Sequence, residues 1–166
     1  HTFFPDYFTA ERQGSILLDR LVAEYPNREG RASLENAAFE FQLDGWERKI
    51  LVITAEFAPS DGAVEWAKKL CLSDKYKDHY VIYLTHSYMK CHKCGNTVTP
   101  TEKYPLTQRP GNNSGVQLWE KLFSQVPNVR LVLCGHHGHS QEKTPEGKRD
   151  RYDWSVGWRV DRNVAG

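Results

Sequence analysis

Three of the chain's seven histidines crowd into "RLVLCGHHGHS" (130–140), immediately past an apolar run that reads as a buried strand. A fourth, His86, closes the run "VIYLTH". Imidazole nitrogen is the commonest protein ligand for transition metals near neutral pH. Gly135, just before His136, lets a backbone turn sharply and approach an ion closely. Each histidine alone also fits a hydrogen-bonded turn residue, and His137 and His139 also fit solvated positions; together, His86 and His136 point to metal binding. "CHKC" (91–94) is a Cys-x-x-Cys, open to three readings: a solvated loop pair, a disulfide, or a zinc site with His92 or another histidine. No second cysteine pair lies near to complete four zinc ligands. Glu56, at the end of "LVITAEF", either orients a ligand imidazole or is a surface carboxylate.

These residues matter together only if the fold brings them together. "KILVITAEF" (49–57), "HYVIYLTHSY" (79–88) and "NVRLVLC" (128–134) are short, β-branched and aromatic runs, and predict strands. The first is continuous enough to be covered on both faces. "NAAFEFQL" (36–43) alternates as a half-buried strand that turns at Asp44-Gly45, and "WSVGWRV" (154–160) predicts a last strand. Helical spacing appears over 14–25, ended by Pro26, and over 114–126. A third helix, capped by Ser60 or Asp61, has Val64, Ala67, Leu70 and Cys71 as its apolar positions. Residues 89–115 and 138–153 are polar and without period, and loops of such length are commonly functional or disordered. The order of elements predicts one α/β domain with a largely parallel sheet. In such sheets the carboxyl ends of parallel strands share one edge, where ligands bind. His86, His136 and Glu56 are therefore expected on one rim. The tryptophans at 46, 66, 119, 154 and 158 are expected to serve packing; an exposed pair, Trp154 and Trp158, would suggest stacking on a sugar or base.

In that order and strand context, "YLTHSY", "GVQLWEKL" and "NVRLVLCGHHGH" resemble the carboxyl-terminal half of a calcineurin-like metallophosphoesterase. "ENAAFEF" and "KILVITAEFAPSDGAVEWAKKL" are similar to the central strand pair and following helix of exported bacterial members, and the likeness runs from about residue 33 to 160. The resemblance implies an α/β fold of layered sheet and helices, incomplete at the amino-terminal end. It implies a phosphoester substrate and two divalent transition-metal ions, zinc, manganese or iron. His86 and His136 would bind one ion, and the second histidine of a Gly-His-x-His motif the other. Two such cations, ~3.5–4 Å apart, clamp a phosphate and generate hydroxide at neutral pH. Here Gly138 stands where that second histidine would fall. His139 serves if the turn bulges, or His137 and His139 form the pair in a shifted register. An exported or periplasmic location also follows from the resemblance.

The family's upstream Asp-x-His, Gly-Asp and Gly-Asn-His-Asp motifs are not in this sequence, although His1 is a candidate relic of the last. The chain begins "HTFFPDYF" without an initiator Met and ends "DRNVAG", and is read as a piece of a longer or processed protein, inactive alone. The alternative is a non-catalytic metal-binding module centred on Cys91 and Cys94. Composition narrows the partners. A net charge of +1 gives no electrostatic argument for nucleic acid or an anionic membrane. No stretch approaches the ~20 apolar residues of a membrane helix. Four cysteines, at 71, 91, 94 and 134, are too sparse for a disulfide scaffold.

Overall fold

The computed structural model describes residues 4–13, 19–91, 98–102, 109–135 and 158–159. It is a mixed α/β fold. Its main sheet has six strands in the order β1-β2-β3-β4-β7-β8. They are β1 (Leu21–Glu24), β2 (Ala37–Phe41), β3 (Ile50–Ala55), β4 (Tyr80–Thr85), β7 (Val129–Leu133) and β8 (Trp158–Arg159). A separate hairpin joins β5 (Met89–Cys91) to β6 (Val98–Pro100). The helices are α1 (Phe4–Tyr7), a 3-10 turn at Ala10–Gln13, α2 (Asp61–Leu72) and α3 (Gly115–Leu118). The last runs on as a π-helical turn, Trp119–Phe123.

The three strands expected to lie together do so. β3 pairs with β4 in parallel from Ile50↔Tyr80 to Ala55↔Thr85, and β4 pairs with β7 in parallel from Val81↔Val129 to Leu84↔Leu133. The sheet as a whole is less parallel than its sequence suggests, because β1–β2, β2–β3 and β7–β8 are antiparallel. The reason is local. A tight turn at Gly45, with φ +78°, folds β2 directly back onto β3, where a parallel neighbour would need a crossover.

A second correction falls at the amino-terminal side. The helix expected over 14–25 is not present in its second half, since Leu21–Glu24 form β1; residues 14–18 lie outside the described residues. Pairing with Ala37–Phe39 across a register shift at Leu21/Ala23 overrides the helical spacing. The polar stretch 89–115 likewise contains the β5–β6 hairpin and the start of α3. Strands of three residues that pair only with each other leave no periodic signal.

α2 and α3 cover one face of the sheet. Val64, Ala67 and Cys71 from α2 meet Leu118 from α3 and Leu122 and Phe123 from its π-helical continuation over Leu51, Ile53, Val81, Tyr83 and Val132. The π turn, closed by the Ser124 N–H on the Trp119 carbonyl at 2.9 Å, lets Leu122 and Phe123 both face inward. Trp66 packs against this core, Trp46 is 50% exposed with its ring edge-on to Tyr80 at 6.1 Å, and Trp119 is turned outward and 37% exposed. Trp154 lies outside the described residues, and Trp158 is described only as a strand position. On the opposite sheet face Leu34, Ala37 and Phe39 pack with Leu21, Phe41 and Val52. Here β3 departs from expectation. Leu51 and Ile53 are fully buried under the helices, whereas Val52 and Thr54 are half-buried.

Two polar devices fix where the strands begin. Asn128, buried ahead of β7, donates to the carbonyls of Cys71 (3.0 Å) and Tyr76 (2.9 Å), tying the end of α2 to the third parallel strand. Glu40 on β2 accepts from Lys49 at 2.8 Å and pairs with His79 at 2.9 Å, just before β3 and β4. The Lys49 ammonium, helped by the His79 hydrogen bond, holds the Glu40 carboxyl below its usual range despite burial. A carboxyl depressed in the folded state adds stability above its unfolded pKa and loses it as pH falls through the folded one. Glu40→Gln should therefore lower the melting temperature at neutral pH, and the difference from wild type should shrink as pH falls below the unfolded carboxylate pKa, measured by calorimetry across pH.

A tighter constraint lies at α3. An added Cβ at Gly115 would come within 2.1 Å of the Tyr88 carbonyl and 2.5 Å of Thr101 N and Oγ1. Thr101 N donates to the same Tyr88 carbonyl at 2.7 Å, so the chain has no slack there. Gly115→Ala should cost about 3 kcal/mol in guanidinium unfolding, at the upper end for overpacking. A loss below ~0.5 kcal/mol, ordinary for a surface change, would contradict this packing.

Candidate functional site

The parallel register decides what stands at the rim. β3, β4 and β7 run on past their carboxyl ends into Glu56, His86 and Cys134-Gly135. The Gly135 N–H donates to the His86 carbonyl at 3.1 Å, carrying the β4–β7 pairing beyond the strands proper. Because β2 is antiparallel to β3, the β1–β2 connection (25–36) arrives at the same end. Together these segments line an open cleft of about 650 Å³ whose walls include Glu35, Glu56, Phe57, His86, Cys134 and Gly135.

His86 is exposed at this cleft, its imidazole edge-to-face with the Phe57 ring at 4.6 Å and 81° between planes. Glu56 is not the surface carboxylate that its position allowed, being only 6% exposed. Oε2 accepts from the Arg28 backbone N–H at 3.1 Å and from Arg28 Nε at 3.2 Å. Its own backbone N–H donates to Asn36 Oδ1 at 3.0 Å. Oε1 accepts from the Ser60 backbone N–H at 3.4 Å, so the carboxylate is shared between Arg28 and the start of α2.

The connection that supplies Arg28 is built by asparagines. Asn27 Oδ1 accepts from the N–H groups of Glu29 and Arg31, both at 3.0 Å, shaping a turn that closes with Gly30 at φ +74°. Asn27 also donates to Glu35, which Ser33 contacts at 3.2 Å. On the other side of the β3 end, the "GNNS" segment (111–114) is held against the start of α2. Asn113 N and Nδ2 both donate to the Pro59 carbonyl, at 3.0 and 2.9 Å, and Asp61 N donates to Gly111 O at 2.7 Å. Lys121 reaches Asp61 Oδ1 at 2.7 Å and Asn113 Oδ1 at 2.8 Å. Both helix starts are capped as their sequences imply: Ser60 Oγ accepts from Ala63 N, and Ser114 forms a reciprocal box with Gln117.

Of the residues singled out from sequence, His86 and Glu56 come to the same cleft, and Cys91 ends β5 on the separate hairpin. His136, His137 and His139 lie outside the described residues, as do His1, His92 and Cys94. The contributions of Arg28, Asn36 and Asn113 went unread. Their one sequence signal is asparagine placed at the borders of strands and helices, where a side-chain amide substitutes for backbone partners. Cys71 and Cys134 are free and buried. Burial pushes the Cys71 thiol up to about 12, which removes it as a thiolate nucleophile.

The described donor groups at the cleft are the exposed imidazole of His86, the carboxylates of Glu35 and Glu56, and the buried thiol of Cys134. Among the described residues no three His, Cys, Asp or Glu side chains gather as a metal group. His86 stands at the mouth of a cleft walled by Phe57, Leu84 and Leu133. No helix among the described residues is long and apolar enough to cross a membrane. Comparison with family models, with curated proteins and with solved structures finds no match to this chain.

Asn36 offers a direct check on how the rim is held. It is fully buried, and its carbonyl oxygen satisfies the Glu56 N–H. Asn36→Ala should cost about 1–3 kcal/mol, the penalty for an orphaned buried donor. Amide exchange at Glu56 should accelerate by at least tenfold, while exchange at Leu51 and Val81 changes only with global stability. Unaltered Glu56 exchange would show that the rim does not depend on this bond.

Proposed function

We propose that the chain is the carboxyl-terminal part of a metal-dependent phosphoester hydrolase, with His86 and His136 as ligands of one divalent zinc, manganese or iron ion and His139 as a ligand of a second. The observation that carries this reading is the Gly135 N–H to His86 carbonyl bond at an open cleft. His136 is the next residue in the sequence after Gly135. Support also comes from the resemblance of "YLTHSY" and "CGHHGH", in their strand contexts, to the metallophosphoesterase motifs. When bound, the metal pair would polarise the phosphoryl group and lower the pKa of a bound water. The chain's own part is to fix the ligand-bearing strand ends by the β4–β7 ladder and to keep Glu56 occupied by Arg28. The remaining carboxylate ligands belong to motifs this sequence does not contain, so activity is a property of the longer protein.

The test uses the full-length protein with manganese or zinc and the aryl esters p-nitrophenyl phosphate and bis(p-nitrophenyl) phosphate. Hydrolysis should be abolished by chelator and restored by the metal. His136→Ala should lower kcat/KM by at least on the order of 100-fold, because it removes a ligand of the charge-stabilising ion. His86→Ala should be nearly as severe, and the double variant little worse than either, as for residues that act as one unit. His139→Ala reports the register: a comparable loss assigns it to the second ion, and normal activity assigns that place to His137 or water. Metal-independent turnover, or full activity in both His86→Ala and His136→Ala, would overturn the hydrolase reading.

A further inference from the structure

The orientation of His86 is traceable to a residue on the other side of the rim. Arg28 does more than neutralise Glu56. Its guanidinium Nη2 donates to the Phe57 carbonyl and, at 3.0 Å, to the Ala58 carbonyl, while Nε donates to Glu56 at 3.2 Å. One side chain thereby grips three consecutive residues of the β3–α2 connection. That connection is strained at the gripped point: Ala58 has φ +51°, the one positive-φ non-glycine residue among the described residues. A side chain with a Cβ avoids this left-handed region, and its occupancy needs surroundings that over-determine it. Ala58 is 2% exposed, and Pro59 beyond it is pinned by Asn113. Ala58 directly follows Phe57, whose ring stands against His86.

We infer that Arg28 is a positioning residue for His86, holding Ala58 in its left-handed conformation so that the Phe57 ring fixes the imidazole at the cleft. The interaction requires arginine. A lysine ammonium keeps the charge opposite Glu56 but cannot span a carboxylate and two carbonyls as a planar fork does. As a statement about ring position the inference stands apart from the hydrolase reading; its consequence for metal affinity rests on that reading.

The test reads the His86 ring protons by carbon–proton NMR at one pH in the 166-residue chain, without metal. Ring current from Phe57 displaces these resonances, and Phe57→Leu defines their position without it. Arg28→Lys should move the His86 signals at least halfway toward the Phe57→Leu position. Adding Ala58→Gly to Arg28→Lys should move them back toward the wild-type position, because glycine enters positive φ without the Cβ penalty that Arg28 offsets. If Arg28→Lys does not fold, Arg28→Met with Glu56→Gln removes both charges and is read in the same way, with and without Ala58→Gly. A general loss of structure would shift many resonances and would not be repaired at Ala58. His86 signals insensitive to Phe57→Leu or to Arg28→Lys, or a shift that Ala58→Gly does not reverse, would overturn the inference. A chain that passes these tests yet binds neither manganese nor zinc in its full-length form would overturn the hydrolase reading alone.

Discussion

Parallel pairing of β3, β4 and β7 is the constraint from which the remaining architecture follows. Parallel strands must return by a crossover, and α2 and α3 lie in the two crossovers. Both helices pack on the same face, and the core between them and the sheet holds the register of all three strands. Register in turn fixes what stands beyond each strand end. A slip of one residue would turn His86 to the other face and break its carbonyl's bond with Gly135.

The cleft is held by polar groups as much as by apolar packing. Asn36, Asn113 and Asn128 are all nearly or fully buried, and each donates to or accepts from backbone groups that sheet and helix leave open. Such groups are costly to bury and directional once satisfied, so they fix loops more narrowly than hydrophobic contact does. The ion pair of Arg28 with Glu56 belongs to the same set. It joins the β1–β2 connection to the end of β3, two segments far apart along the strand path yet adjacent at the rim.

What could be read from the sequence divides along the same line. β3, β4 and β7 are legible as short β-branched and aromatic runs and α2 by its helical spacing, and Ser60, one of the two candidates, caps α2. β1 was mistaken for the end of a helix, since Leu21, Val22 and Tyr25 satisfy helical spacing while the pairing that makes them a strand comes from Ala37–Phe39. The β5–β6 hairpin had no pattern to betray it. His86 was legible at the cleft because strand ends in a parallel sheet share an edge. Arg28 was not, because its role depends on a loop that meets Glu56 only after β2 has folded back. Glu56 was placed at the right edge, but its burial depends on that same unseen partner.

The chain order of the sheet has a consequence for how it assembles. β1, β2 and β3 form an antiparallel meander of near neighbours in sequence, which closes short loops. Joining β7 to β4 must instead close the long excursion through the β5–β6 hairpin and α3, and loop-closure entropy makes distant pairing the slower kind of contact. The His86–Gly135 bond lies on that late seam. A ligand recognised by both sides of the seam would bind only the completed sheet, drawing the folding equilibrium toward it by mass action. Occupancy of the cleft and closure of the β4–β7 ladder would then be two readings of one equilibrium.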